Sequence, residues 1–383
     1  MSLRTVQLEE VAEFINGRAF KPSEWGQSGT PIIRIQNLTG TNEAFNYYDG
    51  PIDERVRVRK GDILISWSAS LGVYRWNGED AALNQHIFKV RLNDGIDRDY
   101  FFYAATDAVQ EMASRVHGST MQHITKDRFE SIHIPLPVLS EQKRIAGLLE
   151  QADRLRRTRR YAVELSDTFL PAAFLALFGS IPTQDAPTLE ELAANKANAI
   201  RTGPFGSQLL HSEFTNSGVA VLGIDNAVNN RFEWSERRFI SLEKYQQLKR
   251  YTVFPGDVIV TIMGTCGRCA IVPDDIPAAI NTKHLCCITL DKQRCIPLYL
   301  HGAFLYHPFV RHQLAAATKG AIMEGLNMGI IEGLRIPLPS LSAQQRFAAL
   351  AERHERLRVS QRESLRQAGH LFQSLLHRAF APA

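Results

Sequence analysis

The sequence predicts an α+β protein built as a tandem duplication. Each copy is a β-rich domain followed by one long helix, and the two long helices pair. Three observations carry this expectation. Residues 134–147, IPLPVLSEQKRIAG, return at 336–349 as IPLPSLSAQQRFAA, and the register then holds without a gap to Phe178 and Phe380. Identical pairs along it include Gln142/Gln344, Arg144/Arg346, Leu148/Leu350, Glu150/Glu352 and the triplet Arg154-Leu155-Arg156/Arg356-Leu357-Arg358. Ahead of each helix, short β-branched and apolar runs punctuated by Gly, Pro and Asp follow one another in the same order. A chain of 383 residues also exceeds what one ordinary core encloses.

Taken in order, residues 1–138 form the first domain. Gly29-Thr30-Pro31 leads into the strand-like run Ile32 to Ile35, Lys60-Gly61-Asp62 into Ile63 to Ser66, and Ala81-Ala82-Leu83-Asn84 into Ile87 to Val90. A helical stretch runs from about Arg98 to Arg115, and a Gly-Ser-Thr loop follows at 118–120. Residues 139–180 are the first long helix. Ile181 to Pro187 is a linker of Pro and polar residues, and it opens the second domain, 181–340. There Ser217 to Val221 stands for Gly29 to Ile33, Pro255 to Thr261 for Lys60 to Ser66, and Ala278 to Asn281 for Ala81 to Asn84. Gly320 and Met323 stand for Gly118 and Met121. Residues 341–383 are the second long helix. The domains differ far more than the helices do, which suggests one docking element carrying two different readers.

Pro135-x-Pro137 and Pro337-x-Pro339 cannot lie inside a helix, so each helix starts after them. Ser140 and Ser342 then stand where an N-cap hydroxyl is expected, with Gln345 completing a capping box in the second copy alone. A 3.5-residue repeat is expected along Leu148, Ala152, Leu155, Arg159, Ala162, Ser166, Phe169 and Ala173. Its partner runs along Leu350, His354, Leu357, Gln361, Ser364, Ala368, Leu371 and Leu375. Pro171 should kink or end the first helix, or open a short following one capped near Thr168.

Composition is that of a globular protein, 44% hydrophobic and 22% charged. No apolar run approaches a membrane span, and the N-terminus lacks a signal-peptide core. The net charge of +4 permits a nucleic-acid partner without requiring one. Walker A, dinucleotide-loop, G-x-S-x-G and H-E-x-x-H patterns are missing, and Gly203 to Ser207 (GPFGS) lacks the Lys a phosphate loop needs. The five cysteines lie between 266 and 295. Cys266-x-x-Cys269 followed by Cys286-Cys287 resembles half of a zinc site. Adjacent cysteines on a strand face opposite ways, however, and the first copy has Leu71 and Tyr74 at the C-x-x-C positions. The expectation is therefore reduced, structural thiols and no metal.

Candidate DNA contacts come from loops, where a rigid scaffold presents recognition side chains. In the first domain they are Arg18, Lys21, Arg34, Gln36, Asn37, Ser66, Trp67, Ser68, Ser70, Gln122 and His123. In the second they are Arg201, Ser207, Gln208, Asn226, Thr261, Met263, Thr265, Arg268 and Lys319. Arg, Gln and Asn supply the donor and acceptor pairs that base edges accept in the major groove. The run Arg154 to Arg160 places five Arg in seven residues. It is either a solvated face or a contact to phosphates.

With the duplicated IPLP-x-L-S-x-Q-x-R entry, the GDILIS/GDVIVT strands, the AALN/AAIN turns and the GPFGS loop, nearly the whole chain resembles the specificity subunit of Type I restriction–modification systems. The resemblance implies two target-recognition domains, each reading half of a split double-stranded DNA target, and two central helices packed antiparallel that set the gap. It implies docking to two modification methyltransferase subunits and to restriction–translocase subunits. It also implies no catalysis and no cofactor of its own: S-adenosylmethionine, ATP and Mg belong to those partners, in the cytoplasm and away from membranes.

Overall fold

A computed structural model describes residues 4–68, 70–115, 126–319 and 325–380. The chain folds into two compact units. One comprises residues 1–161 with 362–383, the other residues 162–361. Each long helix is therefore shared, its first part belonging to one unit and its last part to the other.

In the first unit one four-stranded sheet runs Ala12–Asn16, Ile87–Leu92, Ile63–Ser66, Gly72–Arg75, all antiparallel. A second runs Asn46–Tyr48, Thr30–Ile33, Ala81–Leu83, Arg57–Val58, with Thr30–Ile33 and Ala81–Leu83 parallel. In the second unit the first sheet is Ile200–Thr202, Leu285–Ile288, Val258–Thr261, Cys269–Ile271. The other is Phe214–Thr215, Phe239–Ile240, Val219–Leu222, Ala279–Asn281, again with one parallel pair, Val219–Leu222 on Ala279–Asn281. The expected strands are present in both copies, apart from Ile35, which opens a short helix, Ile35–Thr39.

The helix Arg98–Arg115 packs on the first sheet of its unit, and Pro297–Tyr306 does the same in the second. Tyr100 donates its hydroxyl to Pro135 O at 2.7 Å, and Tyr299 donates to Pro337 O. Onto each tyrosine packs the terminal phenylalanine of the other copy's long helix. Phe380 meets Tyr100 at 5.4 Å and Phe178 meets Tyr299 at 5.1 Å between ring centres. Phe372, Leu376 and Phe380 belong to the first unit's main core, and Phe174 and Phe178 to the second's. Each domain is thus completed by the helix of the other.

The long helices, Leu139–Phe178 and Leu341–Phe380, each span 40 residues, about 60 Å at the α-helical rise. They pair antiparallel. In the second unit Phe178 faces Phe347 and Ser166 bonds His354, while in the first the Arg156 guanidinium lies 4.3 Å from the Phe372 ring. The buried stripe shares Ala152, His354 and Ala368 with the expected one and otherwise departs from it. Gln142, Ala146, Leu149, Ala152 and Asp153 are buried on the first helix; on the second, Gln344, Phe347, Ala351, His354, Ala368, Phe372 and Leu376. Of the expected positions, Leu148, Leu155, Phe169, Leu357 and Leu371 are exposed.

Three further expectations are corrected. The helices begin at Leu139 and Leu341, so Ser140 and Ser342 lie inside the first turn, and the hydroxyl that accepts a first-turn N–H is Ser340. Pro171 does not end its helix. Burial of Phe174 and Phe178 beyond it outweighs the one lost hydrogen bond, and Thr168 merely bonds back to Leu165 O. Finally, an eighteen-residue window of Leu139–Phe178 has mean hydropathy 1.3, so by length and composition alone this helix is apolar enough to cross a bilayer. Part of that apolarity is spent in the second unit's core. The rest, Leu165, Leu175 and Leu177 among it, is exposed.

Candidate nucleic-acid interface

In each unit the strands deliver their C-terminal loops to one junction, centred on the AALN/AAIN turn. In the first, Arg18 N donates to Leu83 O (2.8 Å), Gln85 N to Arg18 O (2.9 Å), Asn84 N to Ile33 O (3.2 Å) and Trp67 N to His86 O (3.2 Å). In the second, Thr282 N donates to Leu222 O and Ile262 N to His284 O, both at 2.9 Å. The approach needs glycine. A Cβ on Gly17 would sit 2.0 Å from Asn84 O, and one on Gly203 would sit 2.2 Å from Asn281 O. The Gly of GPFGS is therefore a close-contact residue.

Several candidates form the scaffold of these loops rather than their reading surface. Ser66 donates its hydroxyl to Ser70 O and Thr261 donates to Thr265 O, closing the same loop in both units; Ser66 and Thr261 are buried, as is Ser68. Asn37 Oδ1 accepts Arg34 N at 2.9 Å and its amide donates to Asn42 O and Ala44 O. Asn226 repeats this, accepting Gly223 N at 2.9 Å and donating to Glu233 O, at 1% exposure. Arg201, 4% exposed, pairs with Asp257 and donates to Thr252 O, Asn198 O and Thr289 Oγ1. Ser66, Asn37, Asn226, Thr261 and Arg201 spend polar groups on internal hydrogen bonds, and Ser68 is buried, so in this structure they support the loops.

Others remain at the surface. Lys21, Gln36, Ser70, Ser207, Gln208, Thr265 and Arg268 are exposed. The Gln36 side chain makes no hydrogen bond among the described residues, whereas Gln208 accepts from Tyr251 at 2.8 Å. Arg18 pairs with Glu24 and lies over Phe20 and Tyr48; the hydrogen bond to Tyr48 foremost, and then the charge of Glu24, raise its already high pKa. Arg34 is half-buried against Trp25, Trp67 stacks on Phe88, and Met263 bridges to Gly325. Lys319 ends the helix Pro308–Lys319. Gln122 and His123 lie outside the described residues.

Sequence reasoning missed three residues at these junctions, His86, His284 and Arg238, while Asp225 stood beside Asn226 among the positions equivalent to Arg34, Gln36 and Asn37. His86 and His284 occupy the same place in the two turns; His86 holds a left-handed φ of 73°, and burial lowers the His284 pKa. The repeated Asn-x-(x)-His spacing after AAL/AAI was the available signal. Asp225 and Arg238 form an ion pair beside Gly223. They line a cleft of about 530 Å³ together with Ile224, Thr282 and His284.

No group of three or more His, Cys, Asp or Glu fit to hold a metal occurs among the described residues. Cys286 and Cys287 enter different cores on opposite faces of their strand. Burial pushes the Cys286 thiol up to about 12. Of the arginine run, Arg156 and Arg157 pair with Asp153 and Arg157 also with Glu150, while Arg154, Arg159 and Arg160 are exposed and have no ion pair among the described residues.

Two like domains with differing loop clusters, each completed by the other copy's helix, define a duplicated modular recognition protein. The chain belongs to the Type I restriction modification DNA specificity domain family, whose model matches residues 3–165 and 206–364. It is similar to the EcoBI specificity subunit of Escherichia coli, 25% identical over 98% of this chain and 85% of that one. It is also similar to the MjaVIII specificity subunit of Methanocaldococcus jannaschii, 25% identical over 79% and 73%. Among solved structures, a Type I restriction–modification S subunit from M. genitalium superposes with a TM-score of 0.61 at 14% identity, covering 100% of this chain and 97% of that one. A second, described as showing complex assembly and conformational transition of the type I R-M system, also reaches 0.61, at 18% identity over 99% and 97%.

Proposed function

We propose that the chain is the sequence-reading, non-catalytic subunit of a Type I restriction–modification complex. Each domain reads one half of a bipartite duplex target, and the long helices dock two methyltransferase copies and set the spacing of the halves. Restriction–translocase subunits join the complex, and S-adenosylmethionine, ATP and Mg are handled by these partners, in the cytoplasm.

The observation that carries this reading is the pattern of exposed apolar residues on the helices. Leu155 and Phe169 of the first copy occupy the same positions as Leu357 and Leu371 of the second, and all four are exposed. The first unit presents Leu155 with Leu371; the second presents Leu357 with Phe169. Exposed apolar residues repeated in this way suit one like partner on each unit. The loop clusters, by contrast, share a frame and differ in side chains, as two readers of different sequences require.

The test is to exchange residues 185–333 for those of a relative of known specificity and to map methylated adenines in cells. One half-target should change and the other persist. A change in both halves, or in the gap alone, overturns the modular reading.

A further inference from the structure

The turn at 34–37 and the turn at 223–226 are one device. Arg34-Ile-Gln-Asn37 aligns with Gly223-Ile-Asp-Asn226, and the closing asparagine makes the same bond to the first residue's N–H at 2.9 Å in both. With the isoleucine and that asparagine fixed, the turns differ at the first residue, Arg34 or Gly223, and at the tip before the asparagine, Gln36 or Asp225. Each turn also carries an arginine: Arg34 is the first residue of one, and Arg238 is paired to Asp225 in the other. Where the first unit has Arg34 the second has Gly223, and Gly223 leaves room for the pair. A Cβ there would lie 2.7 Å from Asp225 Oδ1 and 2.8 Å from Arg238 Nη2.

The pair is not a closed structural ion pair. Asp225 Oδ2, Arg238 Nε and the neighbouring Thr282 Oγ1 are buried with no hydrogen-bond partner, as is Arg34 Nε in the first unit. Unmet buried polar groups are costly, and three of them, on Asp225, Arg238 and Thr282, lie at one cleft of the second unit. The side chains of Asp225 and Arg238 are still 28% and 29% exposed, so the pair is reachable from the cleft of about 530 Å³ that they line.

We propose that the turn tip is a specificity-determining position in each domain, and that the Asp225–Arg238 pair reads one G·C base pair. This rests on the reading of the chain as a DNA-recognition subunit. A guanine presents O6 and N7 as acceptors in the major groove, and its cytosine presents the N4 amine as a donor. An arginine beside a carboxylate matches that row: Arg238 donates to guanine and Asp225 accepts from cytosine. The ion pair holds both groups in place before DNA arrives, which reduces the ordering cost of binding. Gln36, with both a donor and an acceptor and no side-chain hydrogen bond among the described residues, matches adenine N6 and N7 at the corresponding place in the first half-target.

The test uses the full complex with its methyltransferase subunits and a DNA library in which each base pair of both half-targets is varied in turn. Asp225→Asn should lower discrimination at one G·C pair of the second domain's half-target roughly tenfold or more, leaving the other half and the gap unchanged. Gln36→Glu, on an exposed side chain with nothing to lose in folding, should shift preference at one A·T pair of the first domain's half-target. Unchanged discrimination at every position in both variants, with binding intact, overturns the assignment while leaving the recognition function standing. A wild-type complex that binds all library members equally overturns both. A loss spread evenly over all positions of a half-target marks Asp225 as structural and also overturns the assignment.

Discussion

Gln142 and Gln344 are identical in the two copies because each closes the joint between a Pro-x-Pro segment and its helix. Gln142 Oε1 accepts Asp97 N at 2.8 Å while its amide donates to Pro137 O at 2.9 Å. Gln344 does the same with Ile296 N and Pro339 O, both at 3.0 Å. Gln142→Ala leaves a half-buried N–H and carbonyl unmet, so its unit should lose roughly 2 kcal/mol. Denaturant unfolding followed by a probe in that unit measures this, and Gln344→Ala should do the same to the other. The identity was visible in the sequence, but its meaning was not. A glutamine on a long helix suggests solvent, and only the packed joint shows it to be internal. The same limit governs the candidate contacts. Ser66 and Thr261 match in sequence and in role, yet no sequence rule separates a hydroxyl that closes a loop from one that meets a base. In the sequence Arg201 is a candidate base contact because its guanidinium supplies the paired donors that a base edge accepts. Its burial depends on Asp257, far along the chain.

At the scale of elements, the strands and helices followed from apolar runs and turn residues, and the duplication gave each assignment a second reading. The helix seam was misjudged for a physical reason. Leucine at seven-residue spacing reads as a buried seam, but Leu155 and Leu357 face outward, and the true stripe is interrupted by Gln142, Asp153, Gln344 and His354. An apolar face held open in this way predicts a partner. Leu155→Asp should reduce the bound methyltransferase copies from two to one, and adding Leu357→Asp should remove the second. Because both positions are exposed, stability should change by no more than about 0.5 kcal/mol. The mass of the purified complex gives the stoichiometry, and two copies retained by the double variant would count against docking through this face.

For the whole molecule, the expectation is that the helices act as a ruler. Four residues inserted after Arg362 add slightly more than one turn, about 6 Å, against a rise of about 3.4 Å per base pair. The preferred gap should lengthen by one to two base pairs with both half-targets unchanged, as methylation across a series of gap lengths would report. A preferred gap that stays the same would remove the helices from that role. The two-copy plan and the family were legible because duplication and motif order survive in the sequence. Which half of each helix belongs to which unit was not legible, because that depends on contacts between residues some 200 positions apart.

The exchange of helix ends also orders events during synthesis. The second unit, residues 162–361, is continuous, so all of its parts exist once that stretch has left the ribosome. The first unit holds the N-terminal domain, yet its core includes Phe372, Leu376 and Phe380. Residues 1–138 therefore wait with an open apolar seat until Phe372, Leu376 and Phe380 have been made. A stop codon at position 372 would spare residues 1–138 and still remove Phe372, Leu376 and Phe380, the side chains that close that domain's core.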